Sequence, residues 1–224
     1  MVTKKGTVKK TSLEAYSRPR TNGINAITVK EGDELLQACL TNGQSEVLIA
    51  KKSGKAIRFS EKTVRPMGRT ASGVRGVTLE GKDDEVIGMV CVDPNNNEST
   101  ILVVSEKGYG KRTDLEDYRI TGRGGKGVKT IQVTDKTGNL VGILSVTDVD
   151  GLMIINKSGM TIRMAADKLR VMGRATQGVR LINIKEKDSI AGIACVPRED
   201  DEEEEGTEGE AAADNIEINE NNDE

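Results

Sequence analysis

Short apolar runs recur along the chain, and each runs into a glycine. VLIAKK (Val47–Lys52), ILVVSEK (Ile101–Lys107) and LMIINK (Leu152–Lys157) lead to Gly54, Gly108 and Gly159. A fourth glycine of this kind, Gly6, follows only MVTKK, so the first repeat is cut short. The four glycines are 48, 54 and 51 residues apart. Runs of this length, rich in Val and Ile and bounded by Gly and Asp, predict β-strands. In the second repeat they fall at Val47–Ala50, Ala56–Phe59, Val74–Leu79 and Val86–Val92. Helical periodicity is weak, and only single helical turns are expected, around Ser60–Thr63 and Ala165–Lys168. Four strands in about 50 residues, repeated four times, predict an all-β fold of propeller-like blades. A β-sandwich is the alternative, but four matching units argue against it. WD and kelch signatures are missing.

Basic residues keep register with these glycines. Four residues on stand Lys10, Arg58, Arg112 and Arg163; eleven on, Ser17, Arg65, Arg119 and Arg170. Fifteen on stand Thr21, Arg69, Arg123 and Arg174; twenty-one on, Ile27, Arg75, Lys129 and Arg180. Stacked repeats place equivalent residues on one edge, so these columns predict a curved basic stripe suited to a phosphate backbone. The plainer reading is that each Arg caps a turn or pairs with a nearby Asp. Between the columns lie the glycine-rich turns GRTASGVR (Gly68–Arg75), GRGGKGVK (Gly122–Lys129) and GRATQGVR (Gly173–Arg180), which add Lys126 to the basic set. Their glycines suit a tight inter-strand loop, close approach of backbone N–H groups to phosphate, or both. In the cut first repeat, Lys9, Lys10, Arg18 and Arg20 are weaker candidates for the same contact.

Charge sharpens this picture. The 224 residues carry a net charge of −3, but 14 of the 36 acidic residues and one of the 33 basic ones follow Pro197. Residues 1–197 therefore carry a net charge of +10. A basic body with an acidic tail points to a polyanionic partner. Residues 198–224 have too little apolar content to form a core and are expected to be disordered, serving solubility or mimicking the charge of nucleic acid.

Several chemistries are disfavoured. There is no His and no Trp, and most acid–base and metal catalysis relies on His. Cys39, Cys91 and Cys195 are odd in number, form no C-x-x-C and sit in strand-like runs, so they read as small packing residues. Gly122, Gly124 and Gly127 satisfy G-x-G-x-x-G, but VKTIQV (Val128–Val133) alternates like a strand where a dinucleotide fold needs a helix. Lys126 is followed by Gly127, not by the Ser or Thr of a phosphate-binding P-loop. Tyr16 and Tyr118 share a column with Val64 and Leu169 and so read as packing residues rather than nucleophiles. No apolar run reaches the roughly 18 residues a membrane span needs, and a cytoplasmic setting is expected.

GTVKKT (Gly6–Thr11), GYGKRT (Gly108–Thr113), VRPMGRTASGVRGV (Val64–Val77) and VMGRATQGVRLI (Val171–Ile182) resemble the C-terminal domain of DNA gyrase A. The resemblance covers Val2 to about Val196. It implies a β-pinwheel in which neighbouring blades exchange strands, with duplex DNA bound, bent and wrapped around the rim. It implies no cofactor in this chain. Strand cleavage, ATP and Mg2+ would belong elsewhere in a cytoplasmic, nucleoid-associated heterotetramer, formed with the rest of gyrase A and with gyrase B, which supercoils DNA negatively. The family's box motif, Q-R-R-G-G-K-G, has its nearest counterpart at Gly122–Gly127, where Thr121 precedes it in a later repeat. The repeats thus correspond to the last four blades of about six. The C-terminal domain of topoisomerase IV and a protein-interaction propeller are the alternatives.

Overall fold

A computed structural model describes residues 1–96, 98–185 and 188–198. The expected disorder of the acidic tail lies outside the described residues, apart from Arg198, which pairs with Asp167 at 2.9 Å.

The fold is all-β and follows the repeats. The second sheet is built around β4 (Glu46–Lys51), which pairs antiparallel with β5 (Lys55–Ser60) and β7 (Val86–Val92). All six residues of β4 are buried; its apolar stretch Val47–Ala50 packs on both faces, Leu48 and Ala50 in one cluster and Val47 and Ile49 in another. The third sheet repeats this plan with β8 (Thr100–Ser105), β9 (Tyr109–Asp114) and β11 (Leu140–Val146). The fourth uses β12 (Asp150–Asn156), β13 (Thr161–Ala165) and β15 (Ile190–Pro197). In the first, β1 (Val2–Thr3), β2 (Thr7–Val8) and β3 (Leu35–Gln37) play the same parts.

The predicted strand at Val74–Leu79 needs correction. Only Val74–Arg75 forms a strand, β6, and it pairs with β2 of the preceding repeat. Likewise β10 (Val128–Lys129) pairs with β5, and β14 (Val179–Arg180) pairs with β9. Each of these repeats thus donates a two-residue strand backward. In the fourth sheet that position has no counterpart among the described residues.

Short 3-10 turns follow the second hairpin strand of each repeat, at Leu13–Tyr16, Glu61–Thr63, Leu115–Asp117 and Ala166–Lys168. Two of these fit the helical turns expected from the sequence.

The core lies between sheets. One apolar cluster joins the first and second repeats around Val2, Ile49 and Phe59. Another joins the second and third around Leu48, Val103 and Tyr118, and a third joins the third and fourth around Leu102, Ile154 and Leu169. Cys91 is half-buried in this packing, but Cys195, expected to match it, is exposed. In β15 only Ile190 is buried, and the residues after it are exposed or half-buried. Gly54 shows why a glycine opens the repeat. It turns the β4–β5 hairpin at φ +78°, and a Cβ there would lie 2.9 Å from the Ile131 carbonyl oxygen of the next repeat.

Candidate nucleic-acid interface

The column four residues past the opening glycine is a set of staples between repeats. Arg58 is 5% exposed. Its Nε donates to Glu46 Oε2 at 2.5 Å, and its Nη1 donates to the carbonyls of Leu115 (2.7 Å) and Tyr118 (3.0 Å) in the next repeat. Arg112, 3% exposed, repeats this with the Thr100 hydroxyl (2.8 Å), the Ala166 carbonyl (3.0 Å) and Asp148 (2.6 Å). Lys10 does the same, reaching the Glu61 carbonyl at 3.0 Å and its carboxylate at 3.3 Å. Arg163 stays exposed and donates to the Pro197 carbonyl at 2.5 Å. The expectation of phosphate contact is therefore corrected for Arg58 and Arg112. A buried guanidinium with its donors engaged cannot meet a duplex, and its burial is tolerable only because those bonds are made.

Lys9 is also corrected. It is 2% exposed, and its ammonium donates to the carbonyls of Ala26 (2.5 Å) and Arg69. Lys111, one position before Arg112 and outside the sequence-derived set, is its equivalent. It is fully buried and donates to the Gly173 carbonyl (2.6 Å) and the Thr176 hydroxyl (3.1 Å). Ile57 and Ile162 hold this position in the other two repeats. Lysine alternating with isoleucine at one strand position is a signal that the site points inward.

Burial pushes the Lys111 ammonium down to about 8, Asp117 opposing and Arg174 reinforcing the effect. Below that pH the folded and unfolded chains both hold the proton, and the fold carries the full burial penalty. Between about 8 and the ordinary 10.5, the unfolded chain keeps a proton that the folded one has released. Stability therefore rises with pH across this window relative to Lys111→Met. Urea denaturation at several pH values tests it; a difference between the two proteins that stays constant with pH overturns the assignment.

The other columns face outward. Arg65, Arg119 and Arg170 are exposed. Each directly precedes the residue that bridges, in parallel, to the staple column of the preceding repeat: Pro66 to Lys10, Ile120 to Arg58 and Val171 to Arg112. Among the described residues no side-chain partner is found for Arg18, Arg20, Arg65, Arg75, Arg119, Lys126, Lys129 or Arg170. Arg69, Arg123 and Arg174 are partly engaged: a guanidinium nitrogen of each donates to a carbonyl of the preceding repeat, at Asn25 (3.2 Å), Arg75 (3.0 Å) and Lys129 (3.0 Å), and Arg123 Nε also donates to the Thr63 carbonyl at 3.0 Å. These bonds seat Arg123 beside Arg75 and Arg174 beside Lys129, so the fifteen column of one repeat joins the twenty-one column of the one before. The turns lean on each other in the same order, with Thr28 N–H on Ala71 O, Thr78 N–H on Gly125 O and Gln132 N–H on Thr176 O.

Arg180 lies 5.4 Å from the centre of the Tyr109 ring, on the opposite strand position, and donates to its hydroxyl at 2.9 Å. That bond, more than any other contact, holds the Tyr109 hydroxyl below its ordinary value. Lys136 stands 5.5 Å from the same ring. Sequence reasoning misses Tyr109 because no other repeat has a tyrosine at its position, where Thr7, Lys55 and Met160 stand instead.

The tyrosines of the packing column behave as packing residues. Tyr118 is fully buried, its hydroxyl is hydrogen-bonded to the Thr130 hydroxyl, and burial pushes it up to about 12. Tyr16 is half-buried and donates to the Ala26 carbonyl at 3.4 Å.

The family described as DNA gyrase C-terminal domain, beta-propeller, matches residues 1–39, 46–93, 99–147 and 152–197. The DNA gyrase A polypeptide of Chlamydia pneumoniae is 42% identical over 205 residues, which cover 91% of this chain and 24% of that one. Its counterpart in Staphylococcus aureus strain MRSA252 is 43% identical over 215 residues, covering 96% of this chain and 24% of that one. The chain thus spans about a quarter of the length of these relatives. Among solved structures, a C-terminal domain of DNA topoisomerase IV superposes with a TM-score of 0.81 at 23% identity, covering 88% of this chain and 60% of that one. A DNA gyrase A C-terminal domain gives 0.76 at 24%, covering 87% and 64%. At these identities the two structures speak for the fold.

Proposed function

Because the chain belongs to the DNA gyrase C-terminal domain family, we propose that it binds duplex DNA along its outward basic columns, without reading sequence, and bends it. The observation that carries this reading is the contact of successive columns, Arg75 with Arg123 and Lys129 with Arg174. It turns separate cations into one path from repeat to repeat. A polyanion of regular charge spacing is the ligand such a path can neutralise step by step. Phosphate contacts position a duplex but carry no base code.

In a longer protein like its relatives, the domain would serve an ATP-dependent type II topoisomerase that supercoils DNA negatively. Its partners would be the remainder of gyrase A and gyrase B, in the cytoplasm, with cleavage chemistry, ATP and Mg2+ held outside these repeats. The burial of Tyr118 and the modest, backbone-directed role of Tyr16 support a non-catalytic part.

The test is salt dependence. Eight of the outward cations expected to contact phosphate have no side-chain partner among the described residues. If about 8 phosphates are neutralised, log K against log salt falls with a slope of about −7. Unrelated duplexes of equal length should bind alike. A flat salt dependence, or strong preference for one sequence, overturns the reading. An acidic protein competing better than any duplex would turn it toward a protein-docking propeller.

A further inference from the structure

The glycine-rich turns hold two kinds of glycine, and the fold requires only one of them. Gly73, Gly127 and Gly178, nineteen residues past the opening glycines, have φ of +103°, +80° and +81°. A Cβ at these positions would lie 2.6, 2.5 and 2.5 Å from the carbonyl oxygens of Val8, Ala56 and Gly110. They let β6, β10 and β14 close on the preceding repeat, and steric exclusion accounts for them completely.

Gly68, Gly122 and Gly173, fourteen past, are different. None has a positive φ, and a Cβ on any of them would meet nothing within 4 Å. All three are exposed. Gly68 and Gly173 open tight turns closed by Ala71 N–H at 3.1 Å and Thr176 N–H at 3.2 Å, a position that Asp, Asn and Ser fill readily. Any L-residue would fold here, yet glycine stands here three times. Their own N–H groups find no acceptor among the described residues. Each is followed by Arg69, Arg123 or Arg174, whose guanidinium is held in place by the neighbouring repeat. Two residues earlier, the bridges at Pro66, Ile120 and Val171 pin the same segment to the preceding repeat.

We propose that Gly68, Gly122 and Gly173 are main-chain contact points for phosphate: each bare amide donates to one phosphate oxygen, and the missing side chain lets the backbone come close enough to do so. The adjacent Arg supplies charge, while the amide fixes position. The first repeat has Arg20 at this position, so it lacks the device, and three such contacts are made rather than four. This inference rests on the DNA-binding reading above.

The experiment is amide NMR on the isotopically labelled chain, titrated with a short duplex at low salt. The three glycine amides are identified by single Gly→Ala changes. They are expected to shift together on duplex addition and to return as salt is raised. The triple variant Gly68→Ala, Gly122→Ala, Gly173→Ala is expected to melt like the parent and bind about tenfold more weakly, since a methyl that crowds each of the three bonds without abolishing it weakens binding about twofold apiece. Shifts near Arg65 and Arg119 without shifts at the three glycines overturn the proposal while leaving DNA binding intact. So does a folded triple variant of unchanged affinity. If no amide responds to duplex, the DNA-binding reading falls as well. Should the triple variant melt early, the glycine shifts in the parent decide.

Discussion

Replacing Arg58 by alanine lowers the unfolding free energy of the domain by about 3–5 kcal/mol, the range for removing one partner of a buried ion pair. The loss has three sources. Glu46, 6% exposed, is left as a buried carboxylate without its partner. The Tyr118 carbonyl loses its donor, and the Leu115 carbonyl loses one of two, keeping the Tyr118 N–H. The apolar stem of Arg58 also leaves the seam between the second and third repeats. For a domain of this size the drop corresponds to a fall of about 10 °C in melting temperature. Arg58→Met keeps the stem and should fall between the two. Arg119→Ala, at an exposed site with no partner among the described residues, should stay within about 0.5 kcal/mol of the parent. Thermal and urea denaturation read all three. A loss below about 1 kcal/mol for Arg58→Ala would mean that water replaces the staple at little cost, and the account of the four column as structural would fall.

Removing Arg65, Arg119 and Arg170 together has the largest effect expected on binding. These side chains are exposed and engage no described residue, so their loss leaves the fold in place. If each neutralises one phosphate, the slope of log K against log salt becomes less steep by about 2.7. At about 0.1 M salt this is on the order of 10²–10³-fold in affinity. The contrast is with Arg58 and Arg112, whose replacement should leave the slope of whatever protein remains folded unchanged. Duplex titrations at several salt concentrations separate the two classes. An unchanged slope in the triple variant would remove the eleven column from the interface. Equal slope changes for the four and eleven columns would mean that the buried arginines become accessible when DNA binds.

The two outcomes bear on how far the basic columns are legible. Their register is plain in the sequence, but their roles are not. Arg58, Arg112 and Arg163 are chemically alike and equally spaced from their glycines. Two are buried by the repeat that follows, and the third is exposed. The difference depends on which neighbour is present, which no local pattern records. Lys111 escapes sequence reasoning for the converse reason. A lysine on a strand reads as solvated, and only a turn more than 60 residues away makes it an interior group. The Arg69, Arg123 and Arg174 column shows a mixture: spacing places it at the exposed edge, but its bonds to the preceding repeat emerge only from the stacking.

The sequence by itself determined the repeat, the all-β character, the hairpin at each opening glycine and the packing role of Tyr118. These follow from requirements confined to a few neighbouring residues: an apolar run buried on both faces, a backbone bend that excludes a Cβ, a column that accepts Tyr, Val and Leu alike. Tertiary structure decided that Val74–Arg75, Val128–Lys129 and Val179–Arg180 pair backward with the preceding repeat. It also sorted the arginines into staples and surface cations, and the glycines into those the fold needs and those it does not. Alternation of side chains tells which face a residue occupies but not which strand lies beside it. A charge settles inside only where another repeat supplies the bonds that replace its water.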